Sequence, residues 1–421
     1  MSTHTLSGRW TREDRLASRY QELAFEVGPG AAAVAVELEF DRSGDAVVDL
    51  GCLGPEGAFR GWSGGARDRF VILPDAATPG YLPGPLEPGT WKALLGLHRV
   101  PEAGVAWRVT VTVSTVRPEA DLGHQGAPID ALLDPARNAS GTLRPQGLGV
   151  SRGFPAPPGM RWIAGDLHSH TVHSDGVLGV EGIARVAAAR GLDYLAVTDH
   201  NTVSHHPFLE QAGKSAGIVL VPGQEVTSLR GHANAFGAIG RIEFRESPGL
   251  WGRRVAAAGG LFSVNHPLGG DCSWREPVDE ALPLAEVWHS EWRAYPRHAG
   301  PLAWWITAPS QSTAIGGSDF HRPEDNAEPG EPTTWLLVEE PTVDGIIHAL
   351  AQGRAAVSAD PLGPVLLRMD GDLVALGAEG LVLTGPGRPS IPVRSDRASW
   401  PADPGKYWLE THDGVVMALT S

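Results

Sequence analysis

The chain has 421 residues, 42% apolar and 20% charged, with a formal net charge of −15. Its length favours two or three domains over a single core, its composition is that of an ordinary globular protein, and its acidity argues against nucleic acid as a partner. No apolar run reaches the ~18 residues of a membrane helix, the N-terminus lacks an apolar signal core, and Cys52 and Cys272, the two cysteines, make neither a disulfide framework nor a thiolate zinc site. A cytoplasmic location with no membrane contact is expected, and nothing in the sequence speaks to an oligomeric state.

In chain order, residues 1–118 read as a β-sandwich, because apolar or alternating runs such as "YQELAFEV", "AAVAVELEF" and "VAWRVTVTVSTV" are separated by Gly, Pro and Asp turns. Residues 119–160 are proline-rich and lack periodicity, as a linker would, with short helical turns possible around "IDALLDPA". From 161 to 358 strands and helices alternate. "RWIAGDLHSH" precedes the helical "VEGIARVAAARG", whose Ile183, Val186 and Ala187 share one face, and "LDYLAVTDH", "GIVLVPGQEV", "LFSVNHP", "LAEVWHS" and "TAIGGSDFH" follow. Repeated βα units predict a parallel sheet, open or closed into a barrel. Residues 359–421 form a shorter β-rich segment.

The ionisable residues gather at the ends of these predicted strands: His168 and His170, then Asp199 and His200, Glu225, His266, His289, and Asp319 with His321. In a parallel α/β domain those ends converge on one mouth, and residues i and i+2 of a strand point to the same side. His-x-His at 168/170 and Asp-x-His at 319/321 can each aim two ligands there, and imidazoles mixed with carboxylates suit Zn²⁺, Mn²⁺ or Fe²⁺. Each signal alone has a plain structural alternative. A single His-x-His is often incidental, "TDHN" is a reasonable helix cap, and "NHP" is a reasonable turn. Their coincidence at strand ends favours a site. His173, His205, His206 and His298 lack that placement and are assigned to the solvated surface.

The ordered set "DLHSHTVHSDG", "GLDYLAVTDHN", "VPGQEVTS…GHANAFG", "VNHP" and "GGSDFH", spanning residues 165–321, resembles the polymerase-and-histidinol-phosphatase (PHP) family of metallohydrolases, and within it the carbaryl-hydrolase-like branch. The resemblance implies a distorted (β/α)7 barrel holding two or three divalent metals. Carried over position by position, it implies a first metal on His168, His170, Glu225 and Asp319, a second sharing Glu225 with His266, and a third on Asp175, His200 and His321. His289 stands where the branch tends to have asparagine; as a histidine it is read as completing the second site.

A metal pair of this kind activates a bridging hydroxide, so the expected function is hydrolysis, with His232 of "RGHANAFG" protonating the leaving group or, alternatively, orienting Glu225. Three divalent ions against Asp175, Glu225 and Asp319 leave a positive excess, which favours a small anionic substrate, a phosphomonoester or phosphodiester. Arg230, Arg293 and Arg322 are candidate phosphate grips. Two alternatives stand beside this reading. One is a carbamate or carboxyl ester hydrolase, with Trp288, Trp292, Trp304 and Trp305 walling an apolar pocket. The other is an inactive metal-dependent binder. The N-terminal unit is read as a packing partner in preference to a ligand-binding module with Trp62 and Tyr81 as stacking platforms.

Overall fold

The computed structural model describes residues 1–119, 122–130, 132–133, 153–278, 281–297, 299–325, 327–401 and 403–421. Most of the expected linker and His298 lie outside these residues. The chain forms two compact units. The first comprises Met1–Gly126 together with Thr171–Gly179 and Asp199–His205, and the second Ala127–His170, Val180–Thr198 and His206–Ser421. Among the described residues no helix is long and apolar enough to cross a membrane.

In the first unit, strands β1 (Ser2–Trp10), β2 (Tyr20–Val27), β3 (Ala33–Phe40), β4 (Val47–Leu53), β5 (Phe59–Gly64), β6 (Arg69–Ile72), β7 (Gly89–Arg99) and β8 (Val105–Ser114) make two antiparallel sheets. Their orders are β1-β8-β3-β6 and β2-β7-β4-β5. Period-2 patterning sends Val109, Val111 and Val113 of β8 and Val34, Val36 and Leu38 of β3 inward, where they share one core with Leu50, Cys52, Trp91 and Leu95 of the other sheet. Strand β1 was not expected. Its residues are nearly all exposed, so it lacks the apolar alternation that marks a half-buried strand, and it is held by its ladder to β8. Trp62 and Tyr81, read as possible stacking platforms, are instead interior, with Tyr81 stacked on Phe70 at 4.0 Å.

The second unit is built on β9 (Arg161–Asp166), β10 (Tyr194–Val197), β11 (Val219–Ser228), β12 (Gly231–Phe236), β13 (Leu261–Val264), β14 (Leu284–His289), β15 (Thr313–Gly317), β16 (Thr333–Val338) and β17 (Ala355–Ser358). They belong to one sheet in the order β15-β14-β13-β12-β11-β10-β9-β16-β17, which the C-terminal strands Val416–Thr420 and Tyr407–Glu410 extend. Strands β9, β10 and β11 are mutually parallel, as are β13, β14 and β15. Between the two sets β12 runs antiparallel to both neighbours, and β16 runs antiparallel to β9. The helix Val180–Ala189 buries Ile183, Val186 and Ala187, the expected face.

The ladder is open, and among the described residues no closed barrel forms. At the seam between β15 and β16 a side chain replaces the backbone ladder: Thr334 Oγ1 donates to the Gly316 carbonyl and accepts from its N–H, both at 2.8 Å. Beyond the strand ends, Asp319 N–H donates to the His168 carbonyl and His170 N–H to the Phe320 carbonyl, each at 2.9 Å.

Candidate metal centre

The site begins with the backbone at the C-terminal strand ends. Buried Asp166, at the end of β9, accepts the N–H groups of His168 and Ser318 on Oδ1 (3.0 Å each) and that of Gly330 on Oδ2 (2.9 Å), fastening the two segments that carry His168, His170 and Asp319. Burial pushes its carboxyl pKa up, against those hydrogen bonds. His266 and Asp319 have φ of +24° and +53°, a conformation costly for non-glycine residues and kept where the surroundings over-determine it. Gly317 is required by space. A Cβ there would lie 2.3 Å from His168 Cβ and 2.6 Å from Glu286 Oε1.

Two carboxylates organise the imidazoles. Glu225, fully buried, lies 3.4 Å from both His168 Nε2 and His170 Nε2 and 3.2 Å from His266 Nε2. Asp319 Oδ1 lies 3.1 Å from His168 Nε2 and 2.9 Å from His170 Nε2, and its Oδ2 lies 3.0 Å from His289 Nε2. The structure thus gathers His168, His170, Glu225 and Asp319 in one group that could hold an ion, and brings His266 and His289 together around Asp319 in another.

Proton positions test the fit to metal. His168 Nδ1 donates to Glu286 Oε1 at 2.8 Å, and His321 Nδ1 donates to the Asp319 carbonyl at 2.8 Å. Each bond leaves Nε2 as the lone-pair nitrogen, the tautomer a ligand needs. His168 Nε2 and Asp319 Oδ1 are buried without a hydrogen-bond partner, an expensive arrangement that a cation between them would relieve. Burial lowers the pKa of His168, but Asp319, Glu286 and Glu225 outweigh it and hold it well above the ordinary value; burial likewise raises Asp319, and His168 and His321 hold it well below. His289 differs. Its Nδ1 accepts the Glu291 N–H at 3.1 Å, so the neutral ring carries its proton on Nε2 and donates it to Asp319.

Two participants were not expected from the sequence. Glu286, buried in the middle of β14, accepts from His168 Nδ1 on one oxygen and from the His266 N–H (2.8 Å) on the other. Asn265 donates its amide to Glu225 Oε1 at 3.0 Å. The available signal was a carboxylate inside the apolar run "LAEVW", since a buried charge needs partners. His232 Nδ1 lies 3.1 Å from the same Glu225 oxygen, beside the centre.

The other expected site residues distribute as follows. His170 and His321 stack at 4.0 Å in the second unit, whereas Asp175 and His200 belong to the first, with His200 Nε2 3.7 Å from Asp175 Oδ1. Each candidate arginine faces a carboxylate: Arg230 Nε is 2.5 Å from Glu276, Arg293 pairs with Glu331, and Arg322 is 3.8 Å from Asp325. His173 and His205, assigned to the surface, are buried. His173 Nδ1 bonds Ser204 Oγ at 2.7 Å and burial pushes its pKa down to about 3, while His205 Nδ1 lies 3.0 Å from Asp199. Half-buried His206 donates to the Gly223 carbonyl. Of the four tryptophans, Trp292 lines a cavity of about 290 Å³ bordered by His266 and His289, with Leu268, Val287 and Tyr295. Trp288 packs against it at 5.2 Å, Trp305 is buried, and Trp304 lines a separate cleft.

Two groups of imidazoles sharing the Asp319 carboxylate, at the strand ends of an α/β sheet, make a candidate metal centre. Residues 166–254 match the PHP domain, a stretch that includes His168, His170, Asp175, His200, Glu225 and His232. The chain is 40% identical over 63 residues to a 5'-3' exoribonuclease of Haemophilus influenzae, covering 15% of this chain and 23% of that protein. It is 28% identical over 118 residues to an uncharacterized protein, MJ1587, of Methanocaldococcus jannaschii, covering 25% and 69%. The chain therefore spans less than a quarter of the exoribonuclease. Among solved structures, a two-domain protein containing a predicted PHP-like metal-dependent phosphoesterase from Bacteroides vulgatus superposes with a TM-score of 0.39 at 19% identity, over 65% of this chain and 90% of that one.

Proposed function

We propose that the chain is a metal-dependent phosphoesterase of the carbaryl-hydrolase-like branch of the PHP family, acting on a small phosphomonoester or phosphodiester. In this reading residues 161–358 correspond to the family's distorted seven-stranded barrel, left open between β15 and β16. The observation that carries the proposal is the placement of Glu225, within 3.4 Å of His168 and His170 and 3.2 Å of His266, which would let one carboxylate bridge two ions. His168, His170, Glu225 and Asp319 would hold one ion, Glu225 and His266 a second, and Asp175, His200 and His321 a third. Divalent ions bound there supply Lewis acidity and a lowered water pKa.

The chain's own residues do the rest. Glu286 and the Asp319 carbonyl fix the proton positions of His168 and His321. His232, whose Nδ1 lies 3.1 Å from Glu225 Oε1, would protonate the departing oxygen as the imidazolium, giving up its Nε2 proton and keeping the one on Nδ1 toward Glu225. A phosphate reaching Arg230, Arg293 or Arg322 competes with Glu276, Glu331 or Asp325 for it. The cavity beside His266 and His289 supports the second reading, hydrolysis of a carbamate or carboxyl ester, because Leu268, Val287 and Trp292 suit an uncharged organic group.

Elemental analysis after gentle purification, with chelation and add-back, tests the metals. Comparison of kcat/KM for an aryl phosphate, an aryl phosphodiester and an aryl N-methylcarbamate sharing one leaving group tests the substrate class. The phosphoesters should lead and should lose most in His200→Ala. A leading carbamate that is indifferent to His200→Ala overturns the phosphoester reading, and chelator-insensitive turnover overturns both.

A further inference from the structure

Asp175 and His200 are carried by two short segments, Thr171–Gly179 and Asp199–His205, that form one compact unit with the N-terminal sheets. Three sets of contacts hold them there. The carboxylate of Asp199 ties the segments together, accepting from Thr171 N–H (2.8 Å), Thr171 Oγ1 (2.7 Å) and Ser174 Oγ (2.7 Å). Arg67, just after β5, then forks its guanidinium over the first segment. Nη1 donates to the Ser174 carbonyl at 2.9 Å and Nη2 to the Val172 carbonyl, so the fork closes immediately before Asp175. Gly80 meets both segments through its backbone. Its N–H donates to Ser204 Oγ at 3.0 Å and its carbonyl accepts from Thr202 Oγ1 at 3.1 Å. Gly80 has φ +95°, and a Cβ there would lie 2.9 Å from the His173 carbonyl, so another residue would press on the same stretch.

Hydrogen bonds to backbone carbonyls on both sides of His173 fix the path of the chain into Asp175 without using its carboxylate. A planar guanidinium can span two carbonyls at once, which a lysine ammonium cannot do with the same geometry. We propose that the N-terminal sheets are a positioning device for Asp175 and His200, and that Arg67 is the residue through which they act. The inference rests on the reading of Asp175 and His200 as ligands of a further ion.

The test uses the full chain, stripped of metal and titrated with Mn²⁺ by calorimetry, with thermal midpoints measured in parallel. Asp175→Asn and His200→Asn test the ligand reading. Arg67→Met and Arg67→Lys test the positioning. In both Arg67 variants the weakest Mn²⁺ site should lose about 10–100-fold in affinity, the range for removing an outer partner of a ligand, while the tighter sites hold. Added millimolar guanidinium, but not urea, should restore the weak site in Arg67→Met. Gly80→Ala should weaken the same site without touching a charge. If Asp175→Asn and His200→Asn bind Mn²⁺ as the native chain does, the ligand reading fails. If those two lose a site while both Arg67 variants keep it, the positioning role fails. It fails equally if Arg67→Lys and Gly80→Ala lose all sites together with the fold.

Discussion

Glu286 offers the sharpest test of how the centre is held. Each carboxylate oxygen has one task, Oε1 accepting from His168 Nδ1 and Oε2 from the His266 N–H, both at 2.8 Å, and the residue is 1% exposed. Glu286→Gln keeps the shape but turns one acceptor into an NH₂ donor facing an N–H. One hydrogen bond to a charged group is lost, about 1.5–3 kcal/mol, at a buried residue. If the loss falls on His168, its Nε2 is no longer fixed as the lone-pair nitrogen. If it falls on the His266 N–H, that residue loses support for a backbone at φ +24°. Either way the cost appears when metal binds, and about 1.5–3 kcal/mol corresponds to roughly 10–150-fold weaker binding at about 1.4 kcal/mol per decade. Calorimetric Mn²⁺ titration of the native chain and Glu286→Gln, each first stripped of metal, measures it. Native affinity in Glu286→Gln, with the fold intact, would refute the argument that this carboxylate sets the ligand geometry.

His289→Asn should keep its metal content, because an asparagine amide can still donate to Asp319, whereas Glu225→Gln, which alters the carboxylate beside His168, His170 and His266, should lose metal; a halved metal content in His289→Asn would make His289 a ligand. The pH dependence has a definite sign. In metal-free protein His168 and His266 titrate above the ordinary histidine value of 6.5, so their contribution to stability is complete below that value and is lost as pH rises through their folded pKa values. Metal needs the same nitrogens deprotonated, so the gain in Tm on adding Mn²⁺ to chelated protein should grow from pH 6 to pH 9, and a gain that shrinks over this range would contradict the assignment. Leu268→Ala, at an exposed position on the cavity wall, should raise KM for a naphthyl ester several-fold and leave a methyl ester unchanged, since a methylene in such a pocket is worth about 1–3 kcal/mol; equal effects on both esters would detach the cavity from substrate binding.

The gathering of these residues was legible because βα alternation places strand ends together, so residues as far apart as His168 and Asp319 could be joined by topology alone. Less legible was everything that depends on which partner a polar group finds. His173 and His205 sit in Ser-, Thr- and Asp-rich segments that look solvated, yet both are buried, because their segments pack with a unit whose main stretch ends at Gly126. No local pattern announces that. Strand β1 was invisible for the opposite reason: with its side chains exposed, its ladder to β8 leaves no apolar trace. Repeated βα units left an open sheet and a barrel equally possible, and the distorted barrel came from the family resemblance. The ladder stops where Thr334 substitutes a hydroxyl for a strand partner, a contact that needs both strands in place to be seen.

His168 and His289 show the deepest limit of the sequence, because at strand ends the two residues look alike. What separates them is one hydrogen bond each at Nδ1: His168 donates to a carboxylate, His289 accepts from a peptide N–H. The first bond exposes a lone pair at Nε2 and the second a proton. The two imidazoles are therefore told apart by neighbours, Glu286 and the Glu291 N–H, and not by the ring itself. The same logic covers Asp319, whose Oδ1 lies among the Nε2 atoms of His168 and His170 while its Oδ2 takes the His289 proton. One carboxylate thus meets two different sets of neighbours, and the side chain opposite each oxygen decides what that oxygen can do.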